Sequence, residues 1–218
     1  MAHELRNPLN VIKTSVYYLL NAKLATPEKI TDHLQRIQRN VDLADEVISA
    51  LSSIAILPVP DLQSVKVKDC VEVSLRAETL PANVEVSIFC SDSLPPVLAD
   101  SKQLRICLGN LVRIASDAMP AGGRLEIIAK VVDGHVEVAI VDSGTGIAPE
   151  NLRHIMEPFY STKPRGIGLG LALTRAILDK NKGSLHVTSE VGRGSTFVVR
   201  LSAAFNVHSP APSNVSGQ

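Results

Sequence analysis

"LPVPDLQ", residues 57–63, separates two stretches of chain with different hydrophobic rhythms. Upstream, the apolar positions run Leu5, Leu9, Ile12, Val16, Leu19, with gaps alternating between four and three. The same rhythm returns at Ile30, Leu34, Ile37, Val41, Ala44, Ile48, Leu51 and Ala55. That spacing is the heptad seam of two helices that pack along their length. Between them Thr26-Pro27-Glu28 offers an N-cap, a proline at the first helical position and an acid in the first turn. Residues 1–57 therefore read as a helical hairpin. A lone hairpin gives a long apolar stripe only one partner, so two copies are expected to pair as a dimeric four-helix bundle. The prolines make 58–63 a linker.

Downstream the period becomes two. "VKVKDCVEVSL" (65–75), "NVEVSIF" (83–89), "GRLEIIAKVV" (123–132) and "HVEVAIVD" (135–142) alternate like half-buried strands, the last two joined through Asp133-Gly134 as a hairpin. Asp100-Ser-Lys-Gln103 reads as a capping box opening a helix that runs to about Met119. "GLALTRAILDKNKG" (170–183) reads as a helix with lysines in its last turn and Gly183 at its stop, and "SLHVTSE" and "STFVVRLS" close as strands. The expected fold is α+β: the hairpin, then an α/β sandwich over 64–204 whose mixed sheet carries helices on one face. The Ser/Pro/Asn-rich tail, 205–218, is expected to be disordered.

Composition narrows the function. The 22 basic and 22 acidic residues cancel, and aromatic residues make up only 3% with no Trp. Neither a nucleic-acid-binding field nor a base-stacking platform is implied. Three cysteines without C-x-x-C spacing read as reduced core thiols of a cytosolic protein. No run approaches the roughly 18 apolar residues of a membrane span, and no signal peptide precedes His3. A helix starting almost on top of His3 suggests a piece of a longer protein. The histidines at 33, 135, 154, 186 and 208 show no metal-ligand spacing.

Two glycine clusters carry the chemistry. "VDSGTGI" (141–147) sets Asp142 at a strand end before a turn containing Gly144 and Gly146. "RGIGLGLAL" (165–173) places Gly166, Gly168 and Gly170 directly ahead of a helix, where backbone N–H groups and the helix dipole suit a phosphate. The spacing matches neither a dinucleotide fingerprint nor a Walker loop. At the other end, His3-Glu4 lacks the second histidine that a zinc H-E-x-x-H needs, because Asn7 stands there.

"HELRNPL" (3–9), "GNLVRIASDAM" (109–119), "VDSGTGI", "EPFYSTK" (157–163) and "GIGLGLAL" (166–173) resemble, in order, the H, N, G1, F and G2 boxes of sensor histidine kinases. The resemblance implies a dimerisation and phosphotransfer hairpin followed by the ATP-binding fold shared with gyrase and chaperone ATPases. It implies that His3 is the phosphoacceptor, that Glu4 takes its proton, and that Asn7, one turn away on the same face, positions a water that dephosphorylates the partner. His3 lies just off the seam, so its ring can face outward, and Pro8 is expected to kink the helix beside it. Asp142 would accept the adenine amine above a turn thinned by Gly144 and Gly146. Residues 147–166 would form the lid, anchored by Phe159. Lys163 would contact phosphate, or stand as a solvated surface lysine. Gly166, Gly168 and Gly170 would cradle the phosphates, and Thr196 would support the base pocket or fill a strand.

The implied cofactors are ATP and Mg²⁺. The implied partners are a second copy of the chain and a response-regulator receiver domain, with neither nucleic acid nor membrane touching these residues. The implied location is cytoplasmic, with any membrane anchor outside the sequence. One departure stands out. The family's N box reads Asn-x-x-x-Asn-Ala, its second Asn holding Mg²⁺; here Asn110 is followed by Ile114 and Ala115. Asn110 is left as the metal candidate, and isoleucine has no oxygen for a hard cation. The expected alternative to an active kinase is therefore a degenerate core, weak in Mg-ATP binding, that serves as a regulator-docking module or phosphatase.

Overall fold

The computed structural model describes residues 2–22, 26–55, 57–163 and 167–204. By its internal contacts the chain divides into two compact units, Met1–Pro58 with Arg153–Ala176, and Val59–Leu152 with Ile177–Gln218.

In the first unit, α1 (Ala2–Asn21) and α2 (Pro27–Ala55) form the expected hairpin. Thr26 Oγ1 accepts the Lys29 N–H at 3.4 Å, and the Glu28 carboxyl is held below its ordinary range by its own backbone N–H and the Thr26 hydroxyl. The heptad seam splits by position. Ile12, Leu19, Ile37, Ala44 and Leu51 are half-buried, whereas Leu9, Val16, Ile30, Leu34, Val41 and Ile48 are exposed. Half of each stripe is thus used inside the hairpin and half is left outside it. Pro8 sits inside α1 and is buried.

The second unit is built on a five-stranded sheet ordered β2-β4-β5-β7-β6, comprising β2 (Val84–Cys90), β4 (Gly123–Val132), β5 (His135–Asp142), β6 (Ser184–Glu190) and β7 (Gly194–Ser202). β2 runs parallel to β4 and the other pairs are antiparallel, so the sheet is mixed as expected. The parallel pair needs a crossover. It is made by β3 (Val97–Ala99), which pairs with β1 (Gln63–Val65), and by α4 (Ser101–Asp117). Asp133 (φ 47°) and Gly134 (φ 74°) turn the β4–β5 hairpin where the sequence places it. One sheet face is closed by the core side chains Leu125, Ile127, Val136, Val138, Ile140, Phe197 and Val199, all at most 1% exposed.

The structure overturns one expected strand. Residues read as β within 65–75 form a helix, α3 (Val67–Ala77). Its buried residues are Val67, Cys70, Val71 and Ser74, an i, i+3, i+4, i+7 set that packs on α4. Ser74 Oγ donates to the Arg105 carbonyl at 3.0 Å. Burial pushes the Cys70 and Cys90 thiols up, so both stay protonated. A second correction concerns α6 (Gly170–Lys180): the left-handed residue that ends it is Lys182 (φ 57°), and Gly183 follows it, its N–H reaching the Leu178 carbonyl at 2.8 Å.

The capping box at α4 is wired through a residue far away in sequence. Asp100 Oδ1 accepts the Lys102 and Gln103 N–H groups, while the Asp100 N–H donates to Asn181 Oδ1 at 2.8 Å. Asn181 Nδ2 in turn donates to Gln103 Oε1 at 2.8 Å, and the residue is only 4% exposed. Burial would raise the Asp100 carboxyl, but the N–H groups of Gln103, Asp61 and Lys102 outweigh it and hold it below its ordinary range. Asn181→Ala removes the acceptor for the part-buried Asp100 N–H together with the buried bond to Gln103, and should destabilise the fold by about 2 kcal/mol in urea unfolding. Because the folded carboxyl titrates below the unfolded one, its contribution is present above about pH 4 and lost as pH falls through the folded value. Asp100→Asn should flatten that acid limb.

Candidate functional site

Asp142 ends β5 with its carboxylate turned to the covered face of the sheet, and it is 3% exposed. Its Oδ1 accepts two backbone N–H groups, from Gly144 at 2.9 Å and Ser195 at 3.3 Å. One comes from the turn that follows β5 and one from the start of β7, so the carboxylate ties the two together. The turn lies on the end of α4: Thr145 N–H donates to the Ala118 carbonyl at 3.1 Å. A Cβ at Gly144 would stand 2.5 Å from that carbonyl. Gly146 adopts φ 69°, and a Cβ there would overlap the Glu190 carbonyl. Both glycines are therefore required by close approach.

Ser189 on β6 completes the arrangement. Its Oγ accepts the Ile147 N–H at 2.7 Å, donates to the Gly194 carbonyl at 2.9 Å and lies 3.0 Å from Ser195 Oγ. Ser189 and Ser195 were not picked out in the sequence. Thr196 was, but β7 pairs Thr196 with Val141 and Ser195 with Asp142. Alternation along a strand then puts Thr196 on the opposite sheet face from the Asp142 carboxylate. Thr196 lines a shallow cleft of about 340 Å³ together with Val141, Asp142, Ser189, Arg193 and Ser195. Ser195, rather than Thr196, shares the face of the Asp142 carboxylate.

On α4, Asn110 is half-buried, and its Oδ1 accepts from Arg113 Nη2 at 3.2 Å while its Nδ2 is buried without a hydrogen bond. Ile114 is half-buried one turn further on. A divalent metal does not fit this set. The candidate oxygen, Asn110 Oδ1, already accepts from the Arg113 guanidinium, and the neighbouring position is alkyl. Among the described residues no group of three or more His, Cys, Asp or Glu side chains could hold a metal ion.

The remaining expected residues lie in the other unit. His3 and Glu4 fall in the first turn of α1, their side chains outside the described residues, and Asn7 is exposed one turn on. Phe159 (φ 69°) donates its N–H to the Gly168 carbonyl at 2.9 Å. Lys163 is exposed, with its backbone N–H on Ser161 Oγ at 3.1 Å. Gly170 opens α6, and Gly166 lies outside the described residues.

Residues 99–204 match the family described as histidine kinase-, DNA gyrase B-, and HSP90-like ATPase, and residues 1–56 match the His Kinase A (phospho-acceptor) domain. The chain belongs to the sensor histidine kinases. It is 30% identical over 206 residues to sporulation kinase E of Bacillus subtilis (strain 168), covering 92% of this chain and 27% of that protein. It is 32% identical over 204 residues to the sensor histidine kinase ZraS of Escherichia coli (strain K12), covering 92% and 44%. The chain thus spans less than half the length of these curated relatives. A solved structure of full-length ShkA in complex with AMPPNP is 26% identical, with a TM-score of 0.65, over 91% of this chain and 44% of that one. Among the described residues no helix is long and apolar enough to cross a membrane.

Gly146→Ala and Gly192→Ala separate close packing from backbone strain in this histidine kinase turn. Gly192 also has a positive φ, 78°, but a Cβ there meets nothing within 4 Å. The Gly192 variant should cost about 1 kcal/mol and the Gly146 variant at least about 2 kcal/mol more, because the Glu190 carbonyl has to move. Thermal unfolding of the two side by side measures the difference.

Proposed function

We propose that this chain is the core of a protein-histidine kinase that takes the γ-phosphoryl group of ATP onto His3 and passes it to an aspartate of a response-regulator receiver domain. The observation that carries the reading is the Asp142 carboxylate, buried and oriented by Gly144 and Ser195, in a chain that also supplies a phospho-acceptor hairpin. A carboxylate so fixed is an acceptor for the exocyclic amine of adenine, which guanine does not offer at that position. Gly168 and Gly170, ahead of and at the start of α6, supply phosphate contacts. Lys163 stands as a further phosphate contact. A neutral His3 nitrogen attacks the γ-phosphorus as the bond to the bridging oxygen breaks; ADP leaves, and Glu4 accepts the proton from the other ring nitrogen. The domain limits that go with this reading are 1–57 for the hairpin, 58–63 for the linker and 64–204 for the catalytic domain.

The hairpin's exposed stripe supports a homodimer: Leu9, Leu34 and Ile48 are 55%, 54% and 51% exposed, in heptad register. Ile114 and the Arg113–Asn110 contact favour a second reading, a core that holds nucleotide but transfers phosphoryl slowly and acts on its regulator by docking or dephosphorylation.

Incubation with γ-labelled ATP should give acid-labile phosphate that His3→Gln abolishes and Glu4→Gln slows. Label persisting in His3→Gln would overturn the assignment. Asn7→Ala should spare labelling while slowing dephosphorylation of a phosphorylated regulator. Leu34→Glu with Ile48→Glu should convert the dimer to a helical monomer in light scattering and circular dichroism.

A further inference from the structure

On the covered face of the sheet, the row that runs across β5, β7 and β6 through Ile140, Phe197 and Val187 is apolar. The next row, at the end of the sheet, is Asp142, Ser195 and Ser189. Ser195 is only 5% exposed and Ser189 is half-buried. Hydroxyls taken out of water are costly unless they are hydrogen-bonded, and here the bonding has a fixed direction.

A serine hydroxyl holds one proton and two lone pairs. The Ser189 proton goes to the Gly194 carbonyl at 2.9 Å, because a carbonyl can only accept. One Ser189 lone pair takes the Ile147 N–H at 2.7 Å. In the 3.0 Å contact between the two serines the donor is therefore Ser195, and its proton fills the second Ser189 lone pair. Ser195 thus spends its hydroxyl proton on Ser189 and its N–H on Asp142 Oδ1. What the Ser195 hydroxyl has left for a ligand is lone pairs. An ionised Asp142 carboxylate is also an acceptor only. Asp142, Ser189 and Ser195 all line the same shallow cleft, so the row is reached from outside.

Resting on the adenine reading of Asp142, we infer that Ser189 is a positioning residue: it fixes the Ser195 hydroxyl as an acceptor and so favours a base that carries an amine at this edge over one that carries a carbonyl. Adenine brings two amine protons to the row. Hypoxanthine and guanine bring a carbonyl oxygen, which faces lone pairs and finds no donor. A Ser195 hydroxyl released from Ser189 can turn and donate to that oxygen. The rejection therefore rests on the direction of one proton.

The test is titration calorimetry of the 218-residue chain with ATP and with inosine triphosphate, in which a carbonyl replaces the amine. Ser189→Ala should lower the ratio of ATP affinity to inosine triphosphate affinity by roughly tenfold, the worth of about one hydrogen bond. Ser189→Thr keeps the hydroxyl and should restore most of the ratio. In a Ser195→Ala background, Ser189→Ala should leave the ratio unchanged, because no proton remains to be directed. Circular dichroism checks that each variant is folded. A role confined to holding the Ile147 N–H would weaken both nucleotides alike. An unchanged ratio in folded Ser189→Ala would overturn the inference and leave the adenine reading standing. A fall of the same size in the Ser195→Ala background would overturn it too. Equal affinity of the wild-type chain for the two nucleotides, or no ATP binding, would overturn the adenine reading itself.

Discussion

The second unit depends on one carboxylate at the end of a central strand. Asp142 Oδ1 takes the N–H of Gly144 from the turn after β5 and the N–H of Ser195 from the start of β7. A buried charge is tolerable when several N–H groups solvate it. Here that requirement also closes the sheet end, so the glycines of the turn, the Ser189 hydroxyl and the C-terminal end of α4 are held in mutual register. On the proposed reading, the two N–H groups that hold Oδ1 also orient the adenine acceptor. Replacing Asp142 would disturb the turn as well as any ligand.

The helical unit follows a different constraint. A heptad stripe is wide enough for contacts in two directions, and two helices can use only one of them. The half-buried residues Ile12, Leu19, Ile37, Ala44 and Leu51 occupy one heptad position, and the exposed Leu9, Val16, Leu34, Val41 and Ile48 occupy the next. The residues that hold the hairpin together and the apolar residues left exposed therefore lie on adjacent, separable faces.

The N box sets the two demands of an ATP site against each other. On the proposed reading adenine recognition needs a buried acceptor, and Asp142 is the candidate for it. Phosphate neutralisation in this family resemblance needs oxygen ligands for a metal, and α4 offers Ile114 and an Asn110 whose oxygen is held by Arg113. The two parts of the site lie on different elements, so one can change without the fold collapsing. Ile114 is half-buried, and its branched chain suits a helix flank as well as an asparagine would.

Local sequence determined the elements whose signals are local. The heptad gaps, the Thr26 cap, the Asp133-Gly134 turn, the Asp100 cap and the alternation in β4 and β5 are all read within a few residues, and all appear where they were expected. The strand-or-helix choice at 67–77 was not local. Valines at 65, 67, 71 and 73 satisfy a period of two, while Val67, Cys70, Val71 and Ser74 satisfy 3.6, and the tie was broken by packing on α4. Likewise, whether Ser195 or Thr196 shares the face of Asp142 depends on the β5–β7 register, between strands some fifty residues apart in sequence; a slip of one residue reverses it. The link from Asn181 to Asp100 and Gln103 spans about eighty residues and has no sequence signature at all. Periodicity and capping are properties of neighbouring residues; parity between distant strands and the partners of a buried amide exist only once the chain has closed on itself.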